Sequence, residues 1–201
     1  MPVTKAQIEI ENIVATTDLK QQLDLERVKK TLRGSEYDAK RFPGLIYRLR
    51  KPEAATLIFS TGKMVCTGAN SEARAKRAIR RVVEKLREEG IVSCKNPIIG
   101  VKNIVASVNL SGWIDLERAT FALGRVMYEP EQFPALIYRM ENPRVVLLIF
   151  SSGKLVCSGA TSEEDIYISV TRLHNMLEEE KLITYRGSTT DNDLLRERMR
   201  R

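Results

Sequence analysis

The sequence predicts an α+β fold made of two pseudo-symmetric repeats, each running strand, helix, three strands, helix. Three observations carry this. First, the chain is one unit written twice: Asn12-Ile13-Val14-Ala15 returns as Asn103-Ile104-Val105-Ala106, a shift of 91 residues. Asp24-Leu25-Glu26-Arg27, Leu45-Ile46-Tyr47-Arg48 and Leu57-Ile58-Phe59-Ser60 return at the same shift. From Asn12 to Glu72 no gap is needed and roughly half the positions are identical; a period this long exceeds the ~20–50 residues of a solenoid unit and marks a duplicated half-domain. Second, short segments alternate in polarity and are joined by tight turns, which favours antiparallel pairing. Third, the helical segments are apolar on one side only, so they cover one face of such a sheet. The repeats span residues 1–92 and 93–185, followed by a charged tail, 186–201.

Each element has a local reason. Around residues 7–15, Ile10, Asn12 and Val14 fall on one face and Ile13 and Ala15 on the other, the period of a strand. Asp24 caps a short helix running to about Arg33, with Leu25, Val28 and Leu32 on one side. Gly44–Leu49, Ala55–Ser60 and Lys63–Thr67 are strands rich in aliphatic and β-branched residues, with Pro52 in the turn between the first two. Ser60-Thr61-Gly62-Lys63 closes a hairpin in which Gly62 takes a positive φ. Ser71 and Glu72 open a long helix whose stripe is Ala75, Ala78, Ile79, Val82, Val83 and Leu86, and Gly90 ends it. In the second repeat Ser162 caps the equivalent helix, with Ile166, Val170, Leu173 and Leu177 as its stripe.

Composition narrows the function. The 201 residues hold 33 Lys+Arg against 26 Asp+Glu, a net +7 with a pI near 9.4, which favours a polyanionic partner. The charge is uneven: +7 in residues 1–91, −2 in 92–185 and +2 in the tail. No apolar run reaches the ~20 residues of a membrane helix, and no signal-peptide pattern opens the chain. Three scattered cysteines, Cys66, Cys94 and Cys157, make neither a disulfide framework nor a zinc site, and Cys66 and Cys157 read as small buried hydrophobes. The one histidine, His174, reads as an exposed and inert position on the second long helix. An intracellular, soluble, non-enzymatic protein without cofactor is the expectation.

If helices cover one sheet face, the other carries the function. With Ile13, Ile58 and Cys66 inward, Asn12, Val14, Leu57, Phe59, Val65 and Thr67 point out, as do Asn103, Val105, Leu148, Phe150, Val156 and Ser158. Such an apolar, nearly uncharged surface is rarely left bare, so another subunit or a ligand covers it.

The paired strings Asn12-Ile13-Val14, Arg41-Phe42-Pro43 and Leu57 through Gly68, with Tyr128-Glu129-Pro130-Glu131-Gln132-Phe133-Pro134 and Leu136-Ile137-Tyr138-Arg139, resemble the TATA-box-binding protein family. The resemblance covers about residues 5–185. It implies a saddle-shaped, ten-stranded antiparallel sheet with helices on its convex face and DNA on its concave face. The minor groove of A·T pairs shows only acceptors, so Asn12 and Asn103 donate amide N–H groups there, with hydroxyls from Thr67 and Ser158. Val14, Val105, Val65, Val156, Leu57 and Leu148 press on sugars and base edges. By the same resemblance Phe42 and Phe59 at one end, and Phe133 and Phe150 at the other, wedge into base steps and bend the duplex, with Pro43 and Pro134 on the adjacent turns. Arg41, Arg48, Lys63, Arg139 and Lys154 are placed for phosphates.

The resemblance further implies a general transcription factor that seats transcription factor B and the RNA polymerase machinery on double-stranded promoter DNA. Glu129, Glu131 and Gln132 form the acidic partner-binding turn, where repeat one has Asp38-Ala39-Lys40-Arg41. The free protein is expected to cover its face by forming a homodimer. The lack of a long N-terminal extension looks archaeal, which would place it in the cytoplasm or nucleoid; a eukaryotic protein would be nuclear. The sequence departs from the family pattern at Glu53, opposite Arg144 in repeat two, at Ser158 in place of threonine, and at Pro43. The Arg/Lys run from Arg74 to Arg87 is either a solvated face or a docking surface. The alternative function is an accessory nucleic-acid-binding domain of a processing enzyme.

Overall fold

The computed structural model describes residues 6–185; the tail lies outside the described residues. The fold is α+β. Repeat one supplies β1 (Gln7–Asp18), α1 (Leu25–Thr31), β2 (Gly44–Arg50), β3 (Glu53–Phe59), β4 (Lys63–Ala69) and α2 (Glu72–Glu88). Repeat two supplies β5 (Ile99–Asn109), β6 (Gly112–Ile114), α3 (Leu116–Ala122), β7 (Val126–Met127), β8 (Ala135–Met140), β9 (Val145–Phe150), β10 (Lys154–Ala160), α4 (Glu163–Glu179) and β11 (Ile183–Tyr185). Nine strands join in one sheet in the order β2-β3-β4-β1-β5-β10-β9-β8-β7, and β11 pairs with β6. Every pairing whose register is described is antiparallel. Two compact units result, one of residues 9–107 with 157–166, the other of 6–8, 108–156 and 167–185.

The resemblance implied ten strands, and the missing one is still traceable. In repeat two, Met127 of β7 pairs with Ile137. Ninety-one residues earlier, Glu36 and Ile46 exchange two backbone hydrogen bonds of 2.8 Å as an isolated bridge. The tenth strand has shortened to one residue.

The caps follow from the sequence. The Asp24 carboxylate accepts from the Glu26 and Arg27 amides, and Asp115 accepts from Arg118. Ser71 accepts from Arg74. At α4 the Ser162 hydroxyl accepts from the Asp165 amide while Asp165 accepts from Ser162 N–H, a reciprocal capping box. Gly62 and Gly153 are required at the β3–β4 and β9–β10 turns twice over. Their φ values are +84° and +80°, and an added Cβ would lie 2.2 Å and 2.0 Å from the carbonyl oxygens of Gln21 and Gly112. This close approach lets each glycine carbonyl accept from the amide of Leu19 or Leu110 at 3.0 and 2.9 Å.

The core lies on one side of the strands. Ile13, Ala15, Ile58, Met64 and Cys66 are wholly buried, as are Ile104, Ala106, Leu147, Ile149 and Cys157. The helix α2 packs on β3 and β4, and the apolar stripes of both long helices are buried without exception. Burial pushes the Cys66 thiol up to about 11 and that of Cys157 up to about 12, so both stay protonated.

His174 contradicts its sequence reading. It is 4% exposed, with Nε2 2.5 Å from the Tyr185 hydroxyl, which donates to Glu178 at 2.9 Å. The position follows Leu173 and lies four residues after Val170, so it belongs to the buried stripe of α4. The strand β11, unread in the sequence because it is only three residues long, folds back to give the imidazole a polar partner. Burial and the neighbouring Glu178 carboxylate push the Tyr185 phenol well above its ordinary range.

Candidate nucleic-acid interface

Strand register builds an open face from the residues upward. Where two residues stand directly opposite in a sheet, their side chains share a face. Leu57 is paired with Val65 and Ile46, Arg48 with Ala55, and Ala55 with Thr67. In repeat two, Leu148 is paired with Ile137 and Arg139 with Val146. Asn12, Val14, Leu57, Phe59, Val65 and Thr67, and likewise Asn103, Val105, Leu148, Phe150, Val156 and Ser158, are half-buried, each with a buried residue next to it in its strand. The alternation places all twelve on the side away from the core. Sequence reasoning missed Ile46, Ile137, Ala55 and Val146, which fill the same face; the register across the Pro52 and Pro143 turns is the signal that finds them.

In each repeat two phenylalanines stand as a pair. Phe42 and Phe59 meet edge to face with ring centroids 5.9 Å apart, and Phe133 and Phe150 do the same at 6.3 Å. Phe42, Phe59 and Phe150 are half-buried and Phe133 is exposed. Gly44 makes the tighter pair feasible, since a Cβ there would lie 2.7 Å from the Phe42 ring; repeat two has Ala135 at this position. Each first ring follows a turn of the same geometry: Phe42 N–H donates to Asp38 O at 3.0 Å, and Phe133 N–H to Glu129 O at 2.9 Å. Pro43 and Pro134 are exposed beside them.

The polar groups of the face are partly engaged. Asn12 Oδ1 accepts from Gly68 N–H at 2.7 Å and from the Thr67 hydroxyl at 3.2 Å, and Asn103 Oδ1 accepts from Gly159 N–H at 2.8 Å. The Thr67 proton therefore points to Asn12 and not outward. Among the cations, Arg48 pairs with Glu36 at 2.5 Å, both largely exposed, a contact that surface screening makes weak enough for a phosphate to displace. In repeat two Met127 stands where repeat one has Glu36, and Arg139 has no ion pair among the described residues. Arg41, Lys63 and Lys154 are exposed. Glu129, Glu131 and Gln132 are exposed on the turn before Phe133, with no ion pair to either carboxylate among the described residues.

The basic run of α2 is more occupied than its sequence shows. Arg74 donates to Asn70, Lys76 pairs with Glu72, and Lys85 lies 5.7 Å from the centroid of the Tyr47 ring. Arg81 donates to the carbonyl of Lys51 at 2.6 Å, and in repeat two Arg172 donates to the carbonyl of Asn142. These two arginines stand 91 residues apart and tie each long helix to the turn before a proline. No helix of the described residues is long and apolar enough to cross a membrane.

Comparison with known proteins meets this geometry at the same repeat. A family model for "Transcription factor TFIID (or TATA-binding protein, TBP)" matches residues 7–89 and again 98–180, ends that differ by the internal shift of 91. The TATA-box-binding protein of Pyrobaculum islandicum is 54% identical over 170 residues, covering 85% of each chain. That of Sulfurisphaera tokodaii is 50% identical over 175 residues, covering 87% of this chain and 88% of its own. The solved structure of Methanococcus jannaschii TBP superposes with a TM-score of 0.79 at 40% identity, covering 86% of this chain and 99% of that one. The chain belongs to the TATA-binding protein family.

Proposed function

We propose that this protein is a general transcription factor that binds the minor groove of TATA-containing promoter DNA, bends it by inserting its phenylalanines, and nucleates assembly with transcription factor B and RNA polymerase. The observation that carries the reading is the open strand face of each repeat: apolar along its strands, furnished with an asparagine amide, and accompanied by a phenylalanine pair. An acceptor-only groove floor suits that face, and the guanine N2 amino group, a protruding donor, does not. A phenylalanine pair at an end can enter a base step at a few kcal/mol of unstacking, recovered through the contact area that the bent duplex gains. Flexible TA steps open with least strain, so deformability adds to sequence preference. Arg41, Arg48, Lys63, Arg139 and Lys154 supply phosphate contacts, which fix register without reading sequence. The acidic turn Glu129-Pro130-Glu131-Gln132 would be repelled by phosphates and is free for a basic partner, transcription factor B in this reading. The protein acts inside the cell and without catalysis.

A fluorescence bending assay on end-labelled duplexes tests it. A TATA duplex should bind and bring its ends closer, while a duplex with the A·T pairs replaced by G·C should do neither. Equal binding of both duplexes without bending would contradict the proposal.

A further inference from the structure

The open face carries two asparagines, and an asparagine amide is by itself ambiguous: either its oxygen or its nitrogen can face a ligand. The structure removes the ambiguity. A backbone N–H can only meet the oxygen, and Gly68 N–H lies 2.7 Å from Asn12 Oδ1 while Gly159 N–H lies 2.8 Å from Asn103 Oδ1. The amide is planar, so an oxygen turned toward the glycine turns the nitrogen away from it. Neither Nδ2 has a partner among the described residues. Both glycines sit in the left-handed region, at φ +85° and +98°, a conformation that L side chains adopt at a penalty. Around Gly68 an added Cβ would make only ordinary contacts at 3.8 Å. The glycine is therefore needed for its backbone direction and not for space.

We infer that Gly68 and Gly159 are positioning residues for sequence discrimination: their N–H groups lock Asn12 and Asn103 so that the open face presents amide donors and no amide acceptor. This rests on the minor-groove reading above and deepens it. A donor-only face matches the acceptors of A·T pairs, whereas a flipped amide would offer its oxygen to the guanine N2 amino group and weaken the preference. The two locks differ in strength. Asn12 Oδ1 also accepts from the Thr67 hydroxyl, while no bond joins Ser158 to Asn103 among the described residues. Re-aiming of the glycine N–H should therefore matter more at Asn103.

The test measures the ratio of affinities for an A·T duplex and for one with G·C at the central pairs. Gly159→Ala keeps the N–H but strains the left-handed backbone that aims it, so it should lower this ratio about tenfold, the scale of one hydrogen bond, and Gly68→Ala should lower it less. Combining Gly159→Ala with Asn103→Ala should be no worse than Asn103→Ala alone, because the glycine acts only through the amide. Asn103→Asp provides a second variant that keeps the φ +98° glycine intact. It retains an oxygen for Gly159 and puts another where the nitrogen stood, so it should melt near wild type yet lose the ratio. Its added charge weakens both duplexes together and leaves the ratio interpretable. Retention of the full ratio by Gly159→Ala or by Asn103→Asp, with Asn103→Ala losing it, would overturn the inference alone. Losses from Gly159→Ala and Asn103→Ala that multiply would do the same. A wild-type ratio near one would defeat the minor-groove reading along with it.

Discussion

At the residue scale, the face depends on groups whose surroundings decide what they can do. Phe59 and Phe150 each end a strand beside a buried residue, Ile58 or Ile149, yet they are half-exposed and meet a second ring edge to face. Phe59→Ala or Phe150→Ala should therefore weaken TATA binding and reduce bending, on the scale of the few kcal/mol that an inserted wedge recovers. The thermal melt should stay near wild type, which calorimetry checks; a large stability loss with bending intact would make the rings core residues. Asn12→Ala and Asn103→Ala should each lower affinity for A·T sites by on the order of 1–3 kcal/mol and narrow the gap to G·C sites in a competition assay. The facing of Asn12, Asn103, Phe59 and Phe150 was legible in the sequence because period-two alternation assigns a face to every strand residue, whereas Phe42 and Phe133 lie outside the strands and were legible only through the family resemblance. The orientation of the amides was not, since it depends on Gly68 and Gly159, 56 residues from each asparagine along the chain. Nor was the polar partner of His174, which comes from a strand beyond its helix.

At the element scale, the two repeats share their strands and turns but dress them differently. Arg81 and Arg172 clamp the long helices to the carbonyls of Lys51 and Asn142. Their sequence context shows only a charged helix face, because the partner is a backbone atom 30 residues away. Arg81→Ala should lower stability by on the order of 1 kcal/mol, given that the bond is charged but exposed. This would shift the melting temperature by about 2–4 °C and leave DNA bending unchanged, whereas Arg77→Ala should leave the melt unmoved. The turns before the phenylalanines differ in sign, Asp38-Ala39-Lys40-Arg41 in one repeat and Glu129-Pro130-Glu131-Gln132 in the other. Glu129→Arg together with Glu131→Arg should leave TATA binding equal or slightly tighter and prevent the ternary complex with transcription factor B, since charge complementarity governs encounter and partner choice. A gel-shift titration with purified transcription factor B checks this; a normal supershift would place docking elsewhere.

At the scale of the whole molecule, duplication is what made the fold readable. Each strand, turn and cap of repeat one has a counterpart 91 residues on, so an ambiguous element in one half could be settled by the other, and the cap at Ser71 has its equal at Ser162. Legibility failed where the halves diverge. The β6–β11 pair has no equivalent strand pair in repeat one, where the Gln21 side chain bonds Ile91 O and Ser93 N–H in its place. The tenth strand is reduced to the Glu36–Ile46 bridge, and one residue of pairing leaves no alternating pattern to read. In the proposed function this duplicated face reads the minor groove and bends what it binds. Inosine tests it most directly, because an I·C pair lacks the N2 amino group and shows the minor-groove acceptors of A·T while keeping the major-groove face of G·C. Bending measured by fluorescence transfer on matched duplexes should be alike for A·T and I·C sites and absent for G·C. An I·C duplex that behaves like G·C would place recognition in the major groove and contradict the account.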